Sequence, residues 1–198
     1  MRRLAAAALI LLLSIAAHGS PRIVVLGDSV AHGLGEFMQT ANLGINGART
    51  ANVLALLRRQ DAQSVIRSAS AIVLSIGGND LYGDSTARLW TTLWPSHAMS
   101  RTLDRVESIV SRIHRLNPAA RLCLLGLYDP YRNRALDTQV ALWDSRLIAR
   151  FANDHAVQVL RIADLFVWRD RLSPADRFHP SAEGYALIAA RVWAVITP

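Results

Sequence analysis

Arg22-Ile23-Val24-Val25-Leu26-Gly27-Asp28-Ser29-Val30 is an aliphatic run that stops at a glycine and delivers an aspartate and a serine at its end. Five residues rich in Val and Ile, bounded by a breaker, predict a buried strand from Arg22 to Leu26. The same pattern recurs along the chain. Ala71 to Ile76 ends in paired glycines, Arg121 to Leu127 follows the breaker Asn117-Pro118, and Val157 to Ile162 follows the polar Asn153-Asp154-His155. Between these runs lie helical periodicities over Thr50 to Arg59, Thr102 to Leu116 and Leu136 to Phe151, with a last helix over Ala182 to Ile196. In the second of these, Leu103, Val106, Ile109, Val110 and Ile113 form one stripe. Ser181 is placed to cap the last helix, and Glu183 suits the positive end of its dipole. Four strands alternating with such helices predict an α/β fold, a three-layer α/β/α sandwich with a mainly parallel central sheet. In sheets of this kind the site lies outside the carboxyl ends of the strands.

At 198 residues the chain suits one compact domain, and 52% hydrophobic against 19% charged residues excludes a disordered chain. Arg2-Arg3, the apolar run Leu4 to Leu13 and the small residues Ala16, Ala17 and Gly19 have the three zones of a secretory signal. Residues 1–19 are therefore expected to be a signal peptide, with an uncleaved N-terminal anchor as the alternative, and residues 20–198 a single domain. Export to the periplasm or medium follows as an expectation. The apolar run is too short to span a bilayer comfortably. Cys123 is the single cysteine, so no internal disulfide can form; within Leu122 to Leu125 it reads as a small buried side chain. The net charge of +7 comes entirely from arginine, since the chain has no lysine. These arginines are scattered without interleaved aromatics, which argues against a nucleic-acid partner and is compatible with attraction to an anionic membrane or cell-surface polymer.

Three short motifs carry chemistry. In Gly27-Asp28-Ser29-Val30 the serine stands at a strand's carboxyl end, and a helix starting there would stabilise negative charge near its oxygen; the competing reading is a plain turn in which Asp28 and Ser29 cap a helix. Asp176-Arg177-Phe178-His179-Pro180 precedes the last helix. A carboxylate three positions before a histidine can fold back and accept the Nδ1 proton, leaving Nε2 for a nucleophile, although a surface turn is the commoner fate of such a motif. Gly77-Gly78-Asn79-Asp80 ends the second strand, where the Asn79 amide could donate to an oxyanion or the four residues could form a tight turn; Asp80 reads as turn or cap. In a fourth stretch, Asn42 to Ala48, Gly44 and Gly47 are both eligible to present a further N–H, and a turn is again the competitor. His18, His32, His97, His114 and His155 have no metal-ligand spacing, and neither a metal nor another cofactor is expected. His32 reads as a loop residue, and Tyr82 to Met99, with Trp90 and Trp94, as a lid, pocket wall or packed loop.

Taken in order, these blocks resemble the SGNH (GDSL-like) hydrolase superfamily, over essentially the whole mature chain. The resemblance implies a flavodoxin-like sandwich, Ser29 as nucleophile, Asp176 and His179 as the rest of a triad, and Ser29, Gly47 and Asn79 as oxyanion donors. It favours Gly47 over Gly44, because Gly47 follows Ile45-Asn46 and is trailed by Thr50 and a helix. His179-Pro180-Ser181-Ala182-Glu183-Gly184-Tyr185 resembles the family's entry into its last helix. Val30 stands where the family name would place leucine, an apolar exchange beside the nucleophile. Asn117-Pro118 through Tyr131 further resembles a bacterial lipase/esterase branch.

The activity implied is a serine esterase that cleaves acyl esters, of lipid, small-acyl or thioester type, through an acyl-enzyme. Aromatic residues after Asn79 and around Tyr128 tilt the expectation toward an apolar acyl groove, while the same rings could stack on a sugar. A cell-envelope carbohydrate O-acetylesterase is the nearest alternative, and a non-catalytic envelope-binding module is the alternative outside enzymes. The oligomeric state is not encoded in any motif.

Overall fold

A computed structural model describes residues 22–82 and 96–196. The expected signal segment 1–19 therefore lies outside the described residues, as does most of the expected lid; only Tyr82 and Ser96 to Met99 of that stretch are placed. Five strands, β1 (Ile23–Gly27), β2 (Ala41–Gly44), β3 (Ala71–Ser75), β4 (Arg121–Leu125) and β5 (Val157–Leu160), form one sheet. Its order is β2-β1-β3-β4-β5 and every pairing is parallel. Among the described residues, seven helices accompany them: α1 (Ser29–Met38), α2 (Thr50–Leu56), α3 (Gln60–Arg67), α4 (Gly78–Tyr82), α5 (Ser96–Leu116), α6 (Arg134–Arg150) and α7 (Ala182–Ile196). Two 3-10 turns, Ala163–Phe166 and Arg169–Arg171, lead from β5 toward α7.

Alternation along the strands divides the core into two layers. Val24, Leu26, Ile72, Leu74, Leu122 and Leu124 face one side, where α2, α3, α5 and α6 supply Val53, Ile66, Ile109 and Trp143. Val25, Val73, Cys123 and Leu125 face the other, against Leu34 of α1 and Ile188 and Val192 of α7. The three central strands are buried on both faces, which explains why they read as unbroken apolar runs. Cys123 sits in the second layer, where burial pushes its thiol up to about 11.

Several elements depart from the expected ones. The expected strands are found with ends one or two residues shorter or shifted, and β2 is an additional strand inside a stretch expected to be a turn. It lies at the sheet edge, exposed or half-buried throughout, so it carries no hydrophobic run. The expected helix Thr50 to Arg59 stops at Leu56, and α3 starts separately at Gln60; the Gln63 side chain donates to the free Leu57 carbonyl and closes the gap at 3.1 Å. The helix α5 starts six residues before its expected start, and α6 runs from Arg134, where Asn133 accepts the N–H groups of Ala135 and Leu136. The glycine-bearing segment after Ser29 is also helix, which places His32 on α1 and not in a loop. Gly33 and Gly35 are explained by packing: a side chain at Gly33 would collide with the Tyr185 ring, and one at Gly35 with Asn42.

Candidate active site

Chain order reverses beside β1, which pairs with both β2 and β3, and the two blocks that follow β1 and β3 meet over this switch point. Ser29 is the first residue of α1. The Asp28 carboxylate caps that helix by accepting the N–H groups of Val30 and Ala31 at 3.1 and 3.4 Å, and His32 N–H bonds the Asp28 carbonyl at 2.9 Å. The capping and the nucleophile readings of this block are thus compatible. Of the orphan donors at the start of α1, the Ser29 N–H is left without a partner among the described residues. Asp28 itself is buried, and burial pushes its carboxyl up to about 6 against hydrogen bonds from Ala31, Ser75 and Val30.

His179 arrives from the far end of the chain. Its Nε2 lies 2.9 Å from Ser29 Oγ, and its Nδ1 lies 2.6 Å from Asp176 Oδ2. With the Nδ1 proton donated to the carboxylate, Nε2 is free to accept the Ser29 hydroxyl proton. The turn that makes this contact is local. Asp176 Oδ1 accepts the N–H groups of Phe178 and His179 at 2.9 and 3.1 Å, and Arg177 between them takes the left-handed conformation at φ 53°. Partial burial works against ionisation of Asp176, but the bonds from the His179 ring and these two N–H groups outweigh it and hold the carboxyl below its usual range. The segment is anchored by Ser173 N–H to the His179 carbonyl at 2.7 Å and Ser181 N–H to the Arg171 carbonyl at 2.8 Å. Ser181 Oγ in turn accepts Gly184 N–H and caps α7.

Opposite His179, one cleft is shared by Ser29, Gly47, Asn79 and His179. Asn79 is on the one-turn helix α4, not in an open turn. One of its amide hydrogens goes to the Ala48 carbonyl at 2.9 Å, which fixes the amide and leaves the other hydrogen for the cleft. Gly47 has φ 72° and a Cβ there would meet open space; its N–H has no partner among the described residues. Gly44 is different. It is the last residue of β2, its N–H is donated to Asn42 Oδ1 at 2.9 Å, and a side chain would strike the backbone at His32, so the eligible glycine at the cleft is Gly47.

Residues outside the motifs tie these blocks together. Asp80 accepts Thr50 N–H and Thr50 Oγ–H at 2.9 and 2.5 Å, so it caps α2, thirty residues away, and not only its own turn. The Tyr128 hydroxyl donates to the Phe178 carbonyl at 2.8 Å, just before His179, and the Tyr82 hydroxyl donates to the Tyr128 carbonyl at 3.0 Å. Nothing local in the sequence marks these contacts, since each joins residues from different crossovers. Tyr185, on the last helix, also lines the cleft. Among the described residues no group of three or more His, Cys, Asp or Glu could hold a metal ion.

A sequence model of the GDSL-like lipase/acylhydrolase family matches residues 14–187. An uncharacterised protein of Bacillus subtilis (strain 168), YpmR, is 27% identical, covering 88% of this chain and 80% of that protein. Among solved structures, the lipase Lip_vut3 from a goat rumen metagenome superposes with a TM-score of 0.73 at 18% identity, covering 88% of this chain and 97% of that one. The acetylxylan esterase Axe2 from Geobacillus stearothermophilus superposes with a TM-score of 0.66 at 14% identity, covering 91% and 95%. At these identities the two structures show a shared fold.

Proposed function

Because the chain belongs to the GDSL-like lipase/acylhydrolase family and is therefore a hydrolase acting on esters, we propose that it is a serine esterase whose nucleophile is Ser29. The observation that carries the reading is the continuous contact from Ser29 Oγ to His179 Nε2 at 2.9 Å and from His179 Nδ1 to Asp176 at 2.6 Å. His179 takes the Ser29 proton as Oγ attacks the ester carbonyl, and Asp176 stabilises the resulting imidazolium. The tetrahedral oxyanion receives the unpartnered N–H groups of Ser29 and Gly47 and the free amide hydrogen of Asn79. Such donors act in place, with no reorganisation as charge develops. His179 then returns the proton to the leaving alcohol, and water, activated by the same imidazole, releases the acid from the acyl-enzyme. Residues 1–19 fit a role in export, which would place the enzyme in the periplasm or medium.

Purified protein is expected to hydrolyse p-nitrophenyl acetate, and Ser29→Ala, folded to the same thermal midpoint, to lose about ten-thousand-fold or more in turnover. Equal activity in both proteins would remove Ser29 as nucleophile. Inactivity of the wild type, together with no labelling of Ser29 by a small fluorophosphonate, would favour the non-catalytic binding module.

A further inference from the structure

Two separate spaces open on Ser29, and they differ in size and chemistry. The first runs down between the carboxyl ends of β1, β3 and β4, walled by Gly78, Tyr82, Leu127, Tyr128 and Ile162, and holds about 30 Å³. The second is an open cleft of about 500 Å³ whose lining includes Glu36, Asn46, Ser173, His179 and Tyr185.

Stereochemistry assigns their roles. The group that leaves must depart from an oxygen that His179 Nε2 can protonate, so the alcohol lies on the side of the imidazole. His179 lines the wide cleft and not the narrow cavity. The oxyanion is directed toward Gly47 and Asn79, and the acyl chain is left with the narrow cavity.

That cavity is small. The centres of water-sized groups have only about 30 Å³ of room there, against about 500 Å³ in the cleft, so the cavity suits a short chain. Its floor is rigidly built. Ile162 is buried, the Tyr128 ring is stacked on Phe166 at 4.1 Å, and the Tyr82 hydroxyl is bonded to the Tyr128 carbonyl. On the other side, the wide cleft presents carboxylate, amide, hydroxyl and phenol groups, which suit a hydroxyl-rich alcohol and not an alkyl chain.

Resting on the serine-esterase reading above, we propose that the enzyme is selective for short acyl groups of about two to four carbons carried on a bulky, polar, polyol-like alcohol, with Tyr82, Leu127 and Ile162 setting the acyl length. This departs from the lipid preference that the aromatic residues suggested in the sequence, because the Tyr82 and Tyr128 rings wall a small cavity; Trp90 and Trp94 lie outside the described residues.

The test is a p-nitrophenyl ladder of acetate, butyrate, octanoate and palmitate, run beside acetate release from glucose pentaacetate and dodecyl acetate. The expected kcat/KM for acetate exceeds that for octanoate by about a hundredfold, the loss that a few unaccommodated methylenes produce. Glucose pentaacetate is expected to be preferred to dodecyl acetate. Two variants move the limit in opposite directions. Ile162→Ala opens the floor and is expected to raise octanoate relative to acetate. Gly78→Ala adds a methyl at ordinary contact distance from Tyr82 and Leu127, 3.5 and 3.6 Å, and is expected to depress butyrate more than acetate. Wild-type octanoate turnover equal to or above that of acetate, or a preference for dodecyl acetate, overturns the proposal while leaving the esterase reading intact if Ser29 is still labelled by a small fluorophosphonate. No hydrolysis of any ester and no labelling overturns both.

Discussion

The Tyr128 hydroxyl is a single group on which the placement of His179 depends. It is buried, and it donates to the carbonyl of Phe178, the residue just before His179. Removing it leaves that carbonyl short of a donor and loosens the base without altering the ring that lines the acyl cavity. Tyr128→Phe is expected to cost about 1 kcal/mol in fixing the base, hence about five- to tenfold in kcat, with KM nearly unchanged. A steady-state comparison on one short-chain ester checks this, and a change confined to KM would count against a positioning role. At this scale the contact of Asp176 with His179 was legible, because the two are three residues apart and it closes within one turn. Tyr128 was not, since its partner is fifty residues away.

Among elements, the link between α2 and α4 governs the Gly47 and Asn79 side of the cleft. Asp80 on α4 caps α2 through Thr50, and Asn79 beside it holds the Ala48 carbonyl next to Gly47. The Asp80 side chain is only 5% exposed, with Arg105 at 3.7 Å. Asp80→Ala is expected to destabilise the fold by about 1–3 kcal/mol through the lost cap and the unpaired Thr50 groups. It is also expected to lower kcat, because Gly47 and Asn79 lose their common tie. Asp80→Asn, which keeps one acceptor, should recover part of both; chemical denaturation and turnover measured on the same samples decide it, and an unaltered kcat in a destabilised Asp80→Ala would limit the residue to stability. The helices α2, α5, α6 and α7 and the strands β1, β3, β4 and β5 were visible as periodicities, whereas β2 was hidden by its exposed, polar edge position, α1 by its two glycines, and the short α3 and α4 by their length. Those glycines make sense only once Tyr185 and Asn42 are seen packed against them.

For the whole molecule, burying carboxyls to build the sheet's carboxyl end has a cost that depends on pH. Asp144, beneath Gly126 and bonded by the Leu127 N–H at 3.3 Å, is pushed up to about 6 by burial, as is Asp28. A carboxyl with a folded pKa above its unfolded value near 3.8 favours folding fully below that value. This contribution is lost as pH rises through the folded value near 6. Asp144→Asn, which keeps an acceptor for Leu127, is therefore expected to gain stability relative to wild type as pH rises from about 4 to 7, by about 2–3 kcal/mol at most. Thermal midpoints of both proteins across that range test it, and a constant difference would exclude a titrating Asp144. The sequence alone determined the parallel α/β architecture and put Ser29, Asn79, Asp176 and His179 forward as candidate reactive groups, because strand burial, helix periodicity and a three-residue Asp–His turn are short-range properties. Only the tertiary structure decided which glycine faces the cleft, what holds His179 and Asn79 in place, and how large the spaces on either side of Ser29 are. Those depend on contacts between crossovers far apart in the chain, which packing creates and no local pattern encodes.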